Sequence, residues 1–415
     1  MSAVQRSRTR VEDILVGGGG IAGLGLALAV KRARPGATVA ICDPMPEPRR
    51  SLRAVAVAAG PRRFLDRLGV WTRVAPAAQA VTQMVITDSR PQDAIRPAYL
   101  DIAGGVDADE PFAHMVFHDE LRAALREACD VAGIRQEAAQ VTGYAVGGGT
   151  VAVATSGGAS RARLLVAADG GGSRLRQLAG IGTVGWDYGQ AGIIATVSHE
   201  IPHNGRATQH FLPSGPLAIL PLRAADGTPR RSSLVWTTGN AEAARLVGLQ
   251  AAAFLAELAT IIGNEFGAMT LDDAPRAQPL RLVLPRRLVG DRFGLVGDAA
   301  RTIHPLAGQG LNLGLRDAAV LAESIVEQLD LGLDPGSADV LRNYERARRF
   351  DGVVMAAATD GLNRLFSNES TPVRLLRDLG LGLVDRLPSL KELFVRDAAG
   401  LEGAAPRAFG VSSDA

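Results

Sequence analysis

The 415-residue sequence predicts an α/β fold. A parallel-stranded domain is assembled from separated pieces, a mainly antiparallel β domain is inserted between them, and helices close the chain. Three observations predict this. An apolar run, a glycine-rich turn, a helix-like run and a second apolar run follow one another between residues 11 and 43. Two later apolar runs end in a paired aspartate and glycine, at Asp169-Gly170 and at Gly297-Asp298. Between them, "GIIATVSHE", "HFLPSGPLAILPLR" and "SSLVWTTG" read as strands separated by turn residues.

The first piece begins with Ile14-Leu15-Val16, a short buried strand. Gly18-x-Gly20-x-x-Gly23 follows, then a helix-like run to about Arg34, then Val39-Ala40-Ile41-Cys42 and Asp43. In this order the pattern is Rossmann-like. The first glycine makes a tight turn, the second lets backbone approach a pyrophosphate, and the third lets helix and strand pack closely. The helix N-terminus adds free N–H groups and a positive dipole end. Asp43 stands where a carboxylate accepts both hydroxyls of an adenosine ribose, as in FAD or NAD, and would repel a 2′-phosphate. Gly17 reads as a packing position.

In the second piece Leu164 to Ala168 is a strand ending at Asp169-Gly170, with Ser173 and Arg176 placed on the following helix. The Asp-Gly pair is open to two readings, a turn former or a second cofactor contact. In the third piece Phe293 to Val296 is a strand followed by Gly297-Asp298, where Asp298 can bond ribityl or ribose hydroxyls. The loop from His304 to Gly310 is rich in bare N–H groups and leads into a helix from about Leu311. Leu311, Leu315, Ala318, Ala322, Ile325 and Leu329 form one apolar face of that helix. An exposed helix N-terminus suits a flat, electron-rich group. A reduced flavin carries negative charge at one ring edge, which N–H groups and a helix dipole stabilise.

Composition narrows the function. Hydrophobic residues are 47% of the chain, and 45 Lys and Arg nearly balance 43 Asp and Glu. No nucleic-acid partner is expected without a strong basic excess. Cys42 and Cys129 are too few for a disulfide framework and read as buried thiols in a reducing, cytoplasmic setting. No secretory leader is expected, since no apolar core follows Arg6, Arg8 and Arg10 at once. Ile14 to Val30 is apolar but glycine-rich and short for a bilayer span. No metal site is expected: His199, His203 and His210 lack ligand spacing with any cysteine cluster and read as packing or surface histidines.

Together the three pieces resemble the group A flavoprotein aromatic hydroxylases. The stretch from His304 to Asp317, with "DYGQAGIIATV" and "QHFLPSGPLAILPL", is similar to the UbiH/Coq6 branch, the ubiquinone-biosynthesis hydroxylases. The resemblance covers roughly residues 11 to 408. It implies an FAD-binding domain of glutathione-reductase type, with NAD(P)H as reductant and O2 as co-substrate. The implied reaction is hydroxylation of a polyprenylated phenol through a C4a-hydroperoxyflavin, with a peripheral membrane contact at the inner face or a ubiquinone-biosynthesis complex as partner. It implies Gly18, Gly20, Gly23, Asp43, Arg53, Asp169, Gly297 and Asp298 along the cofactor. Pro305, Gly308, Gln309, Gly310, Leu311 and Asn312 would lie at the ring edge, Pro305 offering its carbonyl. No acid or base is assigned, and His304 is expected to shape the turn.

The chain departs from the branch in three places. Arg301 replaces a usual His and is expected at the mouth of the ring pocket. Ser51 stands where an acid usually precedes Arg53, and His118 stands near a usual Asn. The expected division is a cofactor domain of 1–80, 111–180 and 281–365, a substrate domain of 81–110 and 181–280, and a helical tail of 366–415. Within the tail, Leu376, Leu379, Leu383 and Leu387 share one side, and Ser389 to Glu392 looks like a capping box. The alternatives are a hydroxylase of a soluble aromatic compound, a flavin reductase or oxidase, and a non-catalytic scaffold.

Overall fold

The computed structural model describes residues 10–44, 53–88, 98–107, 109–305, 308–366 and 406–407. Ser51, Leu52, Leu306, Ala307 and the tail with its leucine face and capping box lie outside the described residues. The chain opens with strand β1 (Val11–Gly17), helix α1 (Ile21–Ala33) and strand β2 (Val39–Cys42). Strands β3 (Ala54–Ala58), β4 (Gln83–Asp88), β5 (Ala98–Ala103) and β6 (Ala113–Phe117) precede helix α2 (His118–Val131). Next come β7 (Arg135–Glu137), β8 (Gly158–Ala167) and the short helix α3 (Arg174–Leu178). Strands β9 (Thr183–His199), β10 (Arg206–Leu212), β11 (Gly215–Leu222) and β12 (Arg231–Gly239) follow. Helices α4 (Asn240–Val247) and α5 (Ala251–Ile262) lead to β13 (Met269–Leu271) and β14 (Arg276–Pro285). The last described elements are β15 (Phe293–Leu295), α6 (Gln309–Asp330) and α7 (Ala338–Phe366).

Strands β7, β2, β1, β8 and β15 lie side by side in parallel. Parallel strands are covered on both faces, so they read as unbroken apolar runs rather than alternating ones. Ile14, Leu15 and Val16 are fully buried, as are Leu164, Leu165 and Val166. Helix α1 is buried from Ile21 to Val30 apart from Ala22, and it shares one continuous core with the sheet, α2 and α6.

The second sheet runs in the order β13-β9-β12-β11-β10-β4-β5, with β14 also on β9. Its pairs are antiparallel except β10 with β4. Alternate residues of β9, namely Ala191, Ile193, Ala195 and Val197, are buried in one cluster with Phe254 and Leu258 of α5, as a period of two requires. Strands β3 and β6 pair with each other, and Ala54, Ala56 and Met115 share an apolar cluster with Ala207, Leu220 and Leu222 of the second sheet. That cluster joins the β3–β6 pair to the second sheet, while Val57 and Val116 on the same pair pack into the core of the first sheet.

Two boundaries differ from expectation. The helix expected from Leu311 starts at Gln309, because Gly308 takes a left-handed conformation (φ 63°) and turns the chain into it. Ser173 is not on helix α3 but caps it, its hydroxyl accepting the Arg176 N–H at 3.0 Å.

Candidate active site

Register aligns the carboxyl ends of the central strands. Gly17 pairs with Cys42 and with Ala167, and Ala167 pairs with Leu295. The ladder runs on just past the strands: Gly18 N donates to Cys42 O at 2.8 Å, Ala168 N to Gly17 O at 2.8 Å, and Val296 N to Ala167 O at 3.0 Å. Asp43, Gly18, Asp169 and Gly297 therefore leave the sheet along one edge. In an open α/β sheet that edge is where ligands bind. A separate cavity of about 710 Å³, lined by Arg10, Glu12, Lys31 and Arg135 among others, opens at the opposite, amino edge and borders none of these residues.

The glycines divide by what surrounds them. Gly18 has φ +117°, and a Cβ there would lie 2.3 Å from Ala168 O. A Cβ on Gly23 would lie 2.5 Å from Gly18 O and 3.1 Å from Val16 Cγ1, so helix and strand meet there. A Cβ on Gly17 would lie 2.4 Å from Leu175 Cδ1, which makes it a packing position. Among the described residues, Gly20, which caps α1 without a side-chain bond, has only Ala168 O within 4 Å of its Cβ position, at 3.8 Å, and Gly310 has nothing. At those two positions backbone faces open space.

The side chains along the edge are already tethered. Arg122 on α2 donates to Gly19 O at 2.8 Å and to Asp43 Oδ2 at 2.5 Å, and Arg126 Nη1 stands 3.8 Å from the same oxygen. Asp169 accepts from Ser173 Oγ at 2.5 Å and from Leu175 N at 3.0 Å, so its carboxylate secures the start of α3. Asp298 is solvent-accessible yet closely surrounded. Desolvation raises its pKa from the ordinary carboxylate value, with Asp317 adding to the rise and Arg53 and His118 opposing it. An accessible carboxylate with that surrounding lies in a cleft. The exposed Arg53 accepts, through its carbonyl, the His118 N–H at 2.9 Å. Burial lowers the His118 pKa, so the imidazole is neutral, and Arg53 and Arg122 add to the lowering.

His304 and the start of α6 meet β9 and β3 respectively. A Cβ on Gly308 would lie 3.2 Å from Ala56 Cβ of β3. The His304 ring packs edge-on to Tyr188 of β9, with centroids 5.2 Å apart. His304 is 1% exposed, and burial pushes its pKa down to about 4, so it is a neutral packing group at pH 7. Pro305 O accepts the Gly308 N–H at 3.2 Å, which closes the turn into α6 and occupies part of the carbonyl expected to face the ring. The Asn312 side chain bonds the protein's own backbone. Its Oδ1 accepts from Ala58 N at 3.0 Å, and its Nδ2 donates to Ala56 O at 3.1 Å and Gly308 O at 3.2 Å. The amide thus imitates a strand neighbour for β3 and pins the helix start to it. Gln309 is buried, and α6 begins without a side-chain cap, leaving the first-turn N–H groups to be satisfied otherwise.

Arg301 corrects an expectation. It is not at the mouth of a pocket but buried, its Nη1 donating to Asp317 at 2.9 and 3.1 Å, because a fully buried carboxylate on α6 attracts it inward. Sequence reasoning also missed Arg122, Arg126 and Arg348. No local motif marks them; the i, i+4 spacing of Arg122 and Arg126 on α2 is the one available signal.

A glycine turn with a Cβ-free approach, two helix starts without side-chain caps and an acid beside the first turn fit a dinucleotide, and they define a nucleotide-cofactor-binding α/β protein. The chain belongs to the FAD binding domain family, whose description matches residues 11–357, and FAD is its cofactor. It is 41% identical over 406 residues to "Ubiquinone hydroxylase UbiL" of Rhodospirillum rubrum, covering 96% of this chain and 91% of that protein. It is 29% identical over 444 residues to the mouse "Ubiquinone biosynthesis monooxygenase COQ6, mitochondrial", covering 93% and 90%. The fold is similar to that of p-nitrophenol 4-monooxygenase PnpA from Pseudomonas putida DLL-E4, with a TM-score of 0.78, 19% identity, and coverage of 95% of this chain and 99% of that one.

Proposed function

We propose that the chain is an FAD-dependent monooxygenase that hydroxylates the aromatic ring of a polyprenylated phenol in ubiquinone biosynthesis, using NAD(P)H and O2. The observation that carries the reading is the Gly297–Asn312 segment. It starts at the same sheet edge as the first glycine turn and leads to α6, which starts uncapped beside β3. The likeness to the ubiquinone hydroxylase of Rhodospirillum rubrum, over nearly the whole of both chains, supplies the substrate class.

When bound, FAD supplies the two-electron chemistry with NAD(P)H and the activation of O2. The chain's part is binding, orientation and exclusion of water. The backbone at Gly20, in the turn that Gly18 and Gly23 shape, would receive the diphosphate, and Asp43, oriented by Arg122, would receive the adenosine ribose. Asp169, Gly297, Asp298 and Arg53 line the middle of the cofactor. The first-turn N–H groups of α6 would offer positive ends to the ring edge, where an uncapped helix start stabilises negative charge. Asn312 holds those groups against β3, and Pro305 shapes the approach. The apolar cluster of Ala54, Ala56, Met115 and Leu220 excludes water from the junction, which keeps activated oxygen from being lost to solvent.

This reading divides the chain into a cofactor domain (1–80, 111–180 and 281–365), a substrate domain (81–110 and 181–280) and a C-terminal segment. No helix among the described residues is long and apolar enough to cross a membrane. A polyprenyl tail partitions into lipid, so the reading includes a peripheral contact at the cytoplasmic face or within a complex of the same pathway. The test is incubation of the yellow protein with NAD(P)H, ¹⁸O₂ and a short-chain prenylphenol. Incorporation of one labelled oxygen atom into the ring is expected. Oxidation of NAD(P)H with no labelled product from prenylphenols, but with product from a water-soluble phenol, overturns the substrate class; no ring oxygen from either overturns hydroxylation.

A further inference from the structure

Asp317 is fully buried on α6 and is bonded by three groups. Its Oδ2 accepts the Gly297 N–H at 3.2 Å. Arg301 Nη1 donates to both oxygens, and Arg348 Nε of α7 donates to Oδ1 at 2.9 Å. Arg348 is itself fully buried and donates to Asp351 Oδ2 at 2.6 Å. A buried carboxylate stays ionised only when charge partners and donors hold it, and losing one partner leaves an uncompensated charge. The two arginines therefore balance the Asp317 carboxylate and hold it aimed at Gly297.

Gly297 has little freedom around it. Its φ is +65°, a Cβ there would lie 2.9 Å from Ala22 Cβ, and a Cβ on Gly314 of α6 would lie 3.0 Å from Gly297 Cα. Helix α1 bounds the turn on one side and α6 on the other; Asp317 accepts the Gly297 N–H, while the Gly297 carbonyl accepts Ala300 N at 2.9 Å and Arg301 N at 3.0 Å within the turn itself. Asp298 follows immediately in the chain. Helix α7 comes close to the same network: a Cβ on Gly352 would lie 2.7 Å from Arg301 Nε.

We propose that Asp317 is a positioning residue for the FAD site, fixing the Gly297–Asp298 turn through the Gly297 N–H, and that Arg348 of α7 holds Asp317 in place. Helix α7 thus sets cofactor affinity through Arg348, Asp317 and Gly297. The linkage is reciprocal: FAD binding tightens the docking of α7 to the same degree that docked α7 tightens FAD. This inference rests on the assignment of the strand-end cleft to FAD.

The test uses apoprotein titrated with FAD, followed by flavin fluorescence, and amide hydrogen exchange of α7 with and without FAD. Arg348→Gln and Asp317→Asn are each expected to raise the FAD dissociation constant about tenfold or more, since each breaks a buried charge-assisted bond. The double variant binds no worse than the weaker single one, because both act on one path. Arg348→Lys, which keeps the charge but not the planar fork, recovers part of the loss. In the wild type FAD slows exchange around residues 348–352, and in Arg348→Gln it does not. Where Arg348→Gln fails to fold, Gly352→Ala carries the test. Alanine is the better helix former by up to about 1 kcal/mol, yet its methyl displaces Arg301, so α7 holds while FAD binds more weakly. The proposal is overturned if Arg348→Gln or Gly352→Ala changes the apoprotein's unfolding midpoint while FAD affinity stays within twofold of wild type, or if FAD leaves α7 exchange unchanged in the wild type. A wild-type protein that binds no FAD would instead overturn the assignment of the cleft.

Discussion

The carboxyl edge of the parallel sheet and the buried flank behind Gly297 lie close together, yet they are built by opposite means. At the edge, backbone and the absence of side chains define the shape: Gly18 and Gly23 are glycines because neighbouring backbone leaves no room for a Cβ. On the flank, long charged side chains do the holding, with Arg301, Asp317 and Arg348 bonded together out of solvent. The first kind of construction is short-range, because a tight turn depends on a few consecutive residues. The second joins residues 297, 301, 317 and 348 from three elements, so no short stretch of sequence announces it.

The largest expected effect tests the edge. Gly18→Ala places a methyl 2.3 Å from Ala168 O at φ +117°. Strain of this kind costs up to about 3 kcal/mol before any clash is counted, equivalent to about a hundredfold in affinity. The variant should be recovered without yellow colour, with an FAD dissociation constant raised by about that factor. Near wild-type FAD content would mean that backbone shape at the edge is not what admits the cofactor.

Legibility followed the same division. Strand, turn and helix of the first piece, the three strand ends and the second sheet could all be read, because apolar runs and glycine turns are local signals. The start of α6 was misplaced by two residues because Gly308 turns the chain by its backbone conformation rather than by a side-chain cap. Arg301 was placed at a pocket mouth because its partner, Asp317, stands sixteen residues on and only the folded helix brings the two together. Asn312 was placed at the ring edge from its motif, and nothing in the motif showed that its amide bonds strand β3, 254 residues earlier in the chain at Ala58. A polar residue in a motif shows that a bond is made, not with what.

Asn312 gives the second test, at the boundary between the two kinds of construction. Asn312→Ala removes three hydrogen bonds and leaves the Ala58 N–H unpaired in a buried place. The expected loss is about 2–3 kcal/mol of unfolding free energy, measurable by denaturant titration of the apoprotein. An unchanged apoprotein would show that β3 and α6 are held by packing alone.

The third test concerns the packing histidines. His304 and the half-buried His114 of β6, which packs edge-on to Trp71 with centroids 5.0 Å apart, are both pushed down to about 4, by desolvation first. The unfolded chain takes up protons near pH 6.5 that the folded chain refuses. Stability is therefore full above pH 6.5 and declines as pH falls from there toward about 4, by at most about 3 kcal/mol for each histidine. His304→Gln should flatten that decline in apoprotein unfolding measured at pH 7, 6 and 5. An unaltered slope would mean that the ring is not buried neutral.

The smallest effect on the fold is expected where backbone faces open space. Among the described residues a Cβ on Gly310 meets nothing within 4 Å, so Gly310→Ala should leave the apoprotein's unfolding midpoint unchanged or slightly raised, alanine being the better helix former. The same methyl would stand in the space assigned to the flavin ring edge, and the first-turn N–H groups could not approach it as closely. Holoprotein should then show a several-fold weaker FAD affinity and a lower flavin midpoint potential, since anionic reduced flavin gains most from those donors. Gly18→Ala would thus disturb chain and cofactor together, and Gly310→Ala the cofactor alone. If Gly310→Ala changes neither affinity nor potential, the open space at the start of α6 is ordinary solvent, and the ring edge must be sought elsewhere along the Gly297–Asn312 segment.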